Sequence, residues 1–308
     1  MKRRTFIKTG FGAGLAAGAA AFTGGMDRLF AQSGDTGRLP YDLVAVKGGE
    51  PDVMFDKAIE SLGGMSAFVK KGQSVVIKPN IGWDVPPERA GNTNPLLVKH
   101  IIRHCLAAGA SVVYVFDNTC DKWDQCYATS GIKQAVSDAG GKMVPGNQES
   151  YYQQVEIPGG VKLKNAKVHE LILESDVFIN VPVIKHHSSA NMTITMKNLM
   201  GVVWDRMYWH RNDLQQCIAD YATFRRKPDL NVVDAYRIML RNGPRGVSPA
   251  DVSLQKQLLV STDMVAADAA SAKIFGKEPS DIKHIILAEQ QGVGRSDLNS
   301  LKINRIIL

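Results

Sequence analysis

The 308-residue sequence predicts an α/β fold with a mostly parallel sheet covered by helices, a Rossmann-like layered core. Three observations predict it. Short apolar runs rich in Val and Ile recur along the chain. They are continuous rather than alternating, as strands buried on both faces must be. The stretches between them carry helical spacing and helix-end residues. Composition agrees: 44% hydrophobic, 22% charged and 7% aromatic residues describe a folded globular chain, not a disordered or collagenous one. A chain of this length buries about 75% of its unfolded surface and needs no disulfide or metal staple.

The first segment in order lies outside that core. Arg3-Arg4-Thr5-Phe6-Ile7-Lys8 precedes a Gly/Ala-rich stretch from Thr9 to Gly25 and then Leu29-Phe30-Ala31. A charged start, an apolar middle and a small-residue cleavage site follow one another as in a secretory signal. The Arg3-Arg4 block resembles a twin-arginine export signal. That resemblance implies handling by the twin-arginine translocase and a periplasmic or other extracytoplasmic location. Residues 1–31 are then signal, 32–39 linker and 40–308 a single domain. The apolar run is diluted by six glycines and is shorter than the ~20 residues of a spanning helix.

Charge supports the division. The signal carries Lys2, Arg3, Arg4, Lys8 and Arg28 against Asp27, so it holds four of the seven net positive charges. In the rest of the chain the longest basic run, Arg225-Arg226-Lys227, leads into Pro228 and reads as the cationic last turn of a helix. No nucleic-acid partner is expected.

Strands are expected over 41–47, 74–78, 111–116, 176–181, 230–233 and 256–261, with a final strand over 301–308. Thr93-Asn94-Pro95 supplies a cap and a first-turn proline for a helix whose apolar stripe is Leu97, Ile101 and Cys105, closed by Gly109. Asp263 caps an Ala/Ser-rich helix over 265–275, and 279–290 reads as another. Residues 119–170, with scattered Gly, Pro, Gln and Tyr, read as an irregular insertion or covering layer.

Polar residues collect after the strands: Lys78 and Asn80; Asp117; Lys185, His186 and His187; Asp234; Asp263. Ligands of open α/β sheets bind outside the carboxyl ends of parallel strands, so these ends nominate one cleft. Each acid taken alone is equally an ordinary turn or cap residue. Lys78 and Lys185 each sit near a proline that stiffens the backbone, which suits an anionic ligand or, with a depressed pKa, proton transfer; a salt bridge to Asp117 or Asp234 is the other reading. Lys197 and Asn198 before Gly201 face the same ligand as a polar helix entry, and His186 is available for proton transfer. A metal ion would draw on His187 and His210 with Asp117 or Asp234. The segment from Trp204 to His210 is either a lid over the cleft or a satellite core cluster. Cys120 and Cys126 share a loop where a disulfide could form, while Cys105 and Cys217 fall on apolar helix faces. No Cys-x-x-Cys-x-x-Cys run is present, so no iron–sulfur cluster is expected within the chain.

Together these blocks resemble the domain of unknown function 362 family: Val76-Ile77-Lys78-Pro79-Asn80 with Asn92 to Pro95; Asp176 to Pro182 with Lys185-His186; Thr195 to Gly201; Leu230 to Ala235 with Asn242-Gly243-Pro244 and Gly246; and Asp263 to Asp268 with Gly292 and Gly294. They run in order over nearly all of residues 40–300. Several members carry a ferredoxin-like segment, which this chain lacks. The resemblance adds weight to Lys78, Asn80, Lys185, His186, Lys197, Asn198, Asp234, Asp263 and Asp268 as site residues, and Thr93 belongs to a matching block. It assigns no reaction class. Two functions are expected from these readings. One is an exported protein binding an anionic small molecule or cofactor at the strand ends, with acid–base or metal-assisted chemistry if it is an enzyme. The other is a non-catalytic carrier of a metal or cofactor for a periplasmic redox partner.

Overall fold

The computed structural model describes residues 39–308; the expected signal, with Arg3 and Arg4, and nearly all of the linker lie outside the described residues. In chain order the elements are β1 (Leu43–Lys47), α1 (Pro51–Ser61), β2 (Ser74–Pro79), α2 (Pro95–Ala107), β3 (Val112–Val115), α3 (Trp123–Thr129), α4 (Ile132–Asp138), β4 (Lys142–Met143), β5 (Tyr152–Glu156), β6 (Asn165–His169) and α5 (Glu170–Glu174). There follow β7 (Val177–Val181), β8 (Val183–His187), β9 (Asn191–Thr193), α6 (Thr195–Asn198), α7 (Met207–Arg211), α8 (Leu214–Ala222), β10 (Leu230–Met239), β11 (Val252–Ser261), α9 (Met264–Ile274), α10 (Lys283–Gln290) and β12 (Ile303–Ile307).

Ten strands form one mixed, mostly parallel sheet in the order β12-β1-β11-β10-β7-β2-β3-β4, with β8 and β9 continuing beside β10. From β10 to β4 every pairing is parallel. The sheet turns mixed at β11, which runs antiparallel to both β10 and β1. Apolar side chains leave both faces. Val75, Ile77 and Val113 pack with Phe55 of α1 and Ile101 of α2, while Val76 and Phe178 pack with Met196 of α6, Ile218 of α8 and Val265 of α9. This is why the strands read as unbroken apolar runs: each side chain has a helix layer to meet, whichever way it points.

The helix ends follow local chemistry. Asn94 accepts from Leu96 N ahead of Pro95 and starts α2; Asp263 accepts from Val265 N and Ala266 N and starts α9. Buried Ala266, Ala267, Ala269 and Ala272 give α9 a surface of small side chains inside the core.

Three expectations need correcting. Residues 119–170 are not one insertion: α3 and α4 lead into β4, which pairs with β3 in the main sheet, and only the β5–β6 hairpin stands apart. The basic run 225–227 is not a helix end, since α8 stops at Ala222. Arg226 instead donates to the carbonyls of Ile172 and Ser175 and pairs with Asp229, closing the loop ahead of β10. The strand expected over 230–233 runs on to Met239, because β8 and β11 flank its polar second half. Pro182 separates β7 from β8, yet both lie along β10, and Asp234 N donates to the Pro182 carbonyl across the break. Among the described residues no helix is long and apolar enough to cross a membrane.

Candidate functional site

Side chains alternate along a strand, so β2 and the residue just beyond it send Lys78 and Asn80 to one side, and β8 sends Lys185 and His187 to one side. Lys78 is 1% exposed, and its Nζ lies 3.0 Å from Asp117 Oδ1 and 2.9 Å from Asn198 Oδ1. Asp117 follows β3 and fixes its other oxygen by accepting from Ile81 N at 2.7 Å. Lys185, equally buried, donates to Asn80 Oδ1 at 2.9 Å and to the Gly91 carbonyl. Lys197 stands on α6, where among the described residues its Nζ hydrogen-bonds the thioether of Met200 alone, at 3.2 Å. A thioether is a weak acceptor, so this buried ammonium is poorly satisfied.

Carboxamides tie these groups to the sheet. Asn80 Nδ2 donates to Asn198 Oδ1, Asn198 Nδ2 to Asn180 Oδ1, Asn180 Nδ2 to Asn231 Oδ1, and Asn231 Nδ2 to the Ser261 carbonyl. Every amide in the chain both accepts and donates in one direction, which orients Asn80 toward Lys185 and Asn198 toward Lys78.

Around these groups lies a cavity of about 420 Å³. Its wall holds Lys78, Lys185, Lys197 and Arg206 against one carboxylate, Asp117, with His187, His210, Thr193, Cys120, Asn80 and Asn198 completing the polar surface. The Thr193 hydroxyl is buried and has no hydrogen-bond partner among the described residues. Burial pushes Lys185 down to about 7 and Lys197 down to about 8. Lys78 and Asp117 are also disfavoured as charges by burial, and each is the chief counterweight for the other. His187 is pushed down to about 2 by burial and the nearby lysines. Its Nδ1 accepts from Ser189 N and Ala190 N, so the neutral ring carries its proton on Nε2. His210 is likewise lowered, mainly by burial.

The structure therefore gathers Lys78, Asn80, Asp117, Lys185, His187, Lys197, Asn198 and His210 and leaves five other candidates outside the cavity wall. His186 points away from Lys185 and accepts from Gly243 N. Thr93 bridges Asn80 N and the Val181 carbonyl. Asp234, raised by burial to about 6, accepts from Asn94 N and Tyr236 N. Asp263 is a helix cap that also holds Arg295 N. Asp268, raised by burial to about 7, accepts from Thr195 N and Met196 N and so anchors the turn that presents Lys197 and Asn198. These are positioning or structural residues.

The metal assignment at His187 and His210 changes as well. Their rings stack with centroids 6.3 Å apart, but Asp117 is engaged with Lys78 and Ile81, and Asp234 lies outside the cavity wall. Among the described residues no third donor converges there. The segment 204–210 divides: Trp209 is core and packs on Tyr221, while Arg206, Met207 and His210 border the cavity. Thr193 escaped sequence reasoning, since it follows no apolar strand run, while Arg206 entered it only within the 204–210 segment and Cys120 only as a possible disulfide partner. Arg206 donates to the carbonyls of Asn118 and Thr119, which fixes its guanidinium beside Asp117. Cys120 and Cys126 are free thiols, the first exposed and the second buried. A second cleft of about 470 Å³ between the β5–β6 hairpin and α7 lacks a comparable cluster of buried charges.

Comparison with known proteins agrees with the motif blocks. A family model described as a domain of unknown function, DUF362, matches residues 75–273, which include every lysine of the cavity. A thylakoid-associated protein of Synechocystis, sll1697, is 28% identical over 249 residues, covering 76% of this chain and 73% of its own. Two solved structures are similar at a TM-score of 0.47. One is a Thermotoga maritima protein at 11% identity, covering 79% of this chain; the other is the lactate racemase apoprotein of Thermoanaerobacterium thermosaccharolyticum at 13%, covering 78%. The chain spans 60% and 58% of their lengths.

Proposed function

The chain belongs to the DUF362 family, and from that premise we propose that it binds a small anionic molecule or anionic cofactor in the cavity at the strand ends. One observation carries the reading: three buried lysines and Arg206 surround the cavity against a single carboxylate. An uncompensated buried ammonium is costly, and an anionic ligand offsets that cost. Lys197, satisfied among the described residues only by a thioether, and the Thr193 hydroxyl, without a partner among them, are the groups an incoming oxyanion would complete. His187 presents an Nε2 proton as a further neutral donor. If the ligand is turned over, Lys185 is the best placed proton carrier, because a group near 7 exchanges its proton readily at neutral pH.

The sign of the pH dependence follows. The protonated lysines attract the anion, so binding takes up protons, and affinity falls as pH rises through about 7 for Lys185 and about 8 for Lys197. A charged hydrogen bond is worth about 1.5–3 kcal/mol, so losing one should weaken binding roughly 10- to 100-fold. Calorimetric titration with inorganic phosphate and with citrate from pH 6 to pH 9 measures this. Affinities that stay flat, or that Lys185→Met and Lys197→Met leave unchanged, would remove the anion site.

Export through the twin-arginine route is also proposed, on the Arg3-Arg4-Thr5-Phe6-Ile7-Lys8 block alone. Replacing Arg3 and Arg4 with lysine should leave a full-length precursor inside the cell on fractionation. A variant that still reaches the extracytoplasmic fraction refutes the signal.

A further inference from the structure

Away from the cavity, α1 and α2 lie side by side and bring together three potential metal ligands. His100 and His104 are four residues apart on α2, hence on one helix face, and Asp56 projects to them from α1. Asp56 Oδ1 lies 2.6 Å from His100 Nε2 and 2.7 Å from His104 Nε2, and the two Nε2 atoms are 3.2 Å apart. Phe55 stands edge-on to both rings, which limits their rotation. Among the described residues this is the one group of three or more His, Cys, Asp or Glu side chains whose ligand atoms converge.

We propose that Asp56, His100 and His104 form a zinc site that clasps α1 to α2. For both imidazoles to hydrogen-bond the same oxygen, both must carry their proton on Nε2, and the two N–H groups are then forced against each other. A dication removes that conflict, since neutral imidazoles then offer lone pairs instead of protons. Ligands at about 2.0–2.1 Å from a tetrahedral zinc lie roughly 3.3 Å from one another. The His100–His104 separation of 3.2 Å is already close to that value, and the two Asp56–His contacts, at 2.6 and 2.7 Å, must open by about 0.6–0.7 Å, which the partly exposed side chains allow. Two imidazoles and one carboxylate make a borderline N/O donor set of net charge −1, suited to zinc rather than to calcium or magnesium. All three side chains are 22–48% exposed, leaving the fourth position to water.

The test uses the untagged chain, stripped with a chelator and titrated calorimetrically with Zn²⁺. One equivalent should bind per chain. His100→Gln and His104→Gln should each weaken it by more than the roughly 10- to 100-fold that losing even an outer-sphere partner costs. Asp56→Asn, at the most exposed ligand, tests the same site where a histidine variant fails to fold. Co²⁺ in place of Zn²⁺ should give visible d–d absorption without a thiolate charge-transfer band, which separates this site from exposed Cys120. Absence of binding, affinity unchanged in all three variants, a thiolate band, or an equivalent abolished instead by His210→Gln would each overturn the proposal.

Discussion

Lys78→Met should cost the protein about 3–5 kcal/mol of stability, whereas Lys185→Met should leave stability within about 1–2 kcal/mol of the parent. Both lysines are 1% exposed and both face the same cavity, so burial alone predicts no difference. Their partners differ. Lys78 is the close counter-ion of Asp117, and its removal leaves a fully buried carboxylate with Ile81 N as its remaining close donor and only the more distant charge of Arg206 to offset it. Lys185 has only neutral acceptors, Asn80 Oδ1 and the Gly91 carbonyl, so methionine removes a costly charge while leaving two acceptors unmet. Those effects oppose and nearly cancel. Adding Asp117→Asn to Lys78→Met should recover most of the loss, because neither charge then remains.

The pH dependence separates the two further. Lys185 is depressed in the folded state from 10.5 to about 7, so the unfolded chain binds the extra proton between those values. Stability therefore rises with pH across that window, and the destabilising effect of Lys185 is full below about 7. Lys185→Met should gain most on its parent in acid and lose that advantage toward pH 10. Urea unfolding at pH 6 and pH 9 reads both effects. Equal losses for Lys78→Met and Lys185→Met, or no recovery in the double variant, would mean that the Lys78–Asp117 pair does not organise the site.

How far the sequence reaches is clearest at β8. The period of two along a strand places Lys185 with His187 and sends His186 to the other side. Adjacent histidines on an extended strand cannot both accompany Lys185, and His187 rather than His186, the residue expected to transfer protons, is the one on its side. The same rule pairs Lys78 with Asn80 correctly, and the strand-end argument finds Asp117. Asp234, Asp263 and Asp268 show the opposite limit. Their residue types suit a site, but each accepts backbone N–H groups, and only tertiary packing decides between the two uses. The mixed edge of the sheet was also beyond reach, because an apolar run does not reveal whether its neighbour is parallel. His100 and His104 were legible as a pair with helical spacing, but Asp56 comes from α1, 44 residues before His100, and only the packing of the two helices brings it to them.

Gly201→Ala should abolish anion binding while leaving a folded, destabilised protein. A Cβ at this position would lie 1.9 Å from Asp117 Oδ1 and 2.5 Å from Lys78 Nζ. Gly201 needs no unusual backbone angle; what it provides is the space in which the buried pair sits. Its carbonyl accepts from Asn118 N, so the segment cannot retreat without losing that bond. The methyl must instead displace Asp117 or Lys78, and overpacking of this kind costs about 1–3 kcal/mol. Affinity for phosphate should drop at least as far as in Lys185→Met, since Lys78 moves with its partner. A double-mutant cycle isolates the cause. In a Lys78→Ala, Asp117→Ala background the clashing atoms are gone, and Gly201→Ala should cost almost nothing further. Equal costs in both backgrounds would place the importance of Gly201 in the backbone and not in the room it leaves for the Lys78–Asp117 pair.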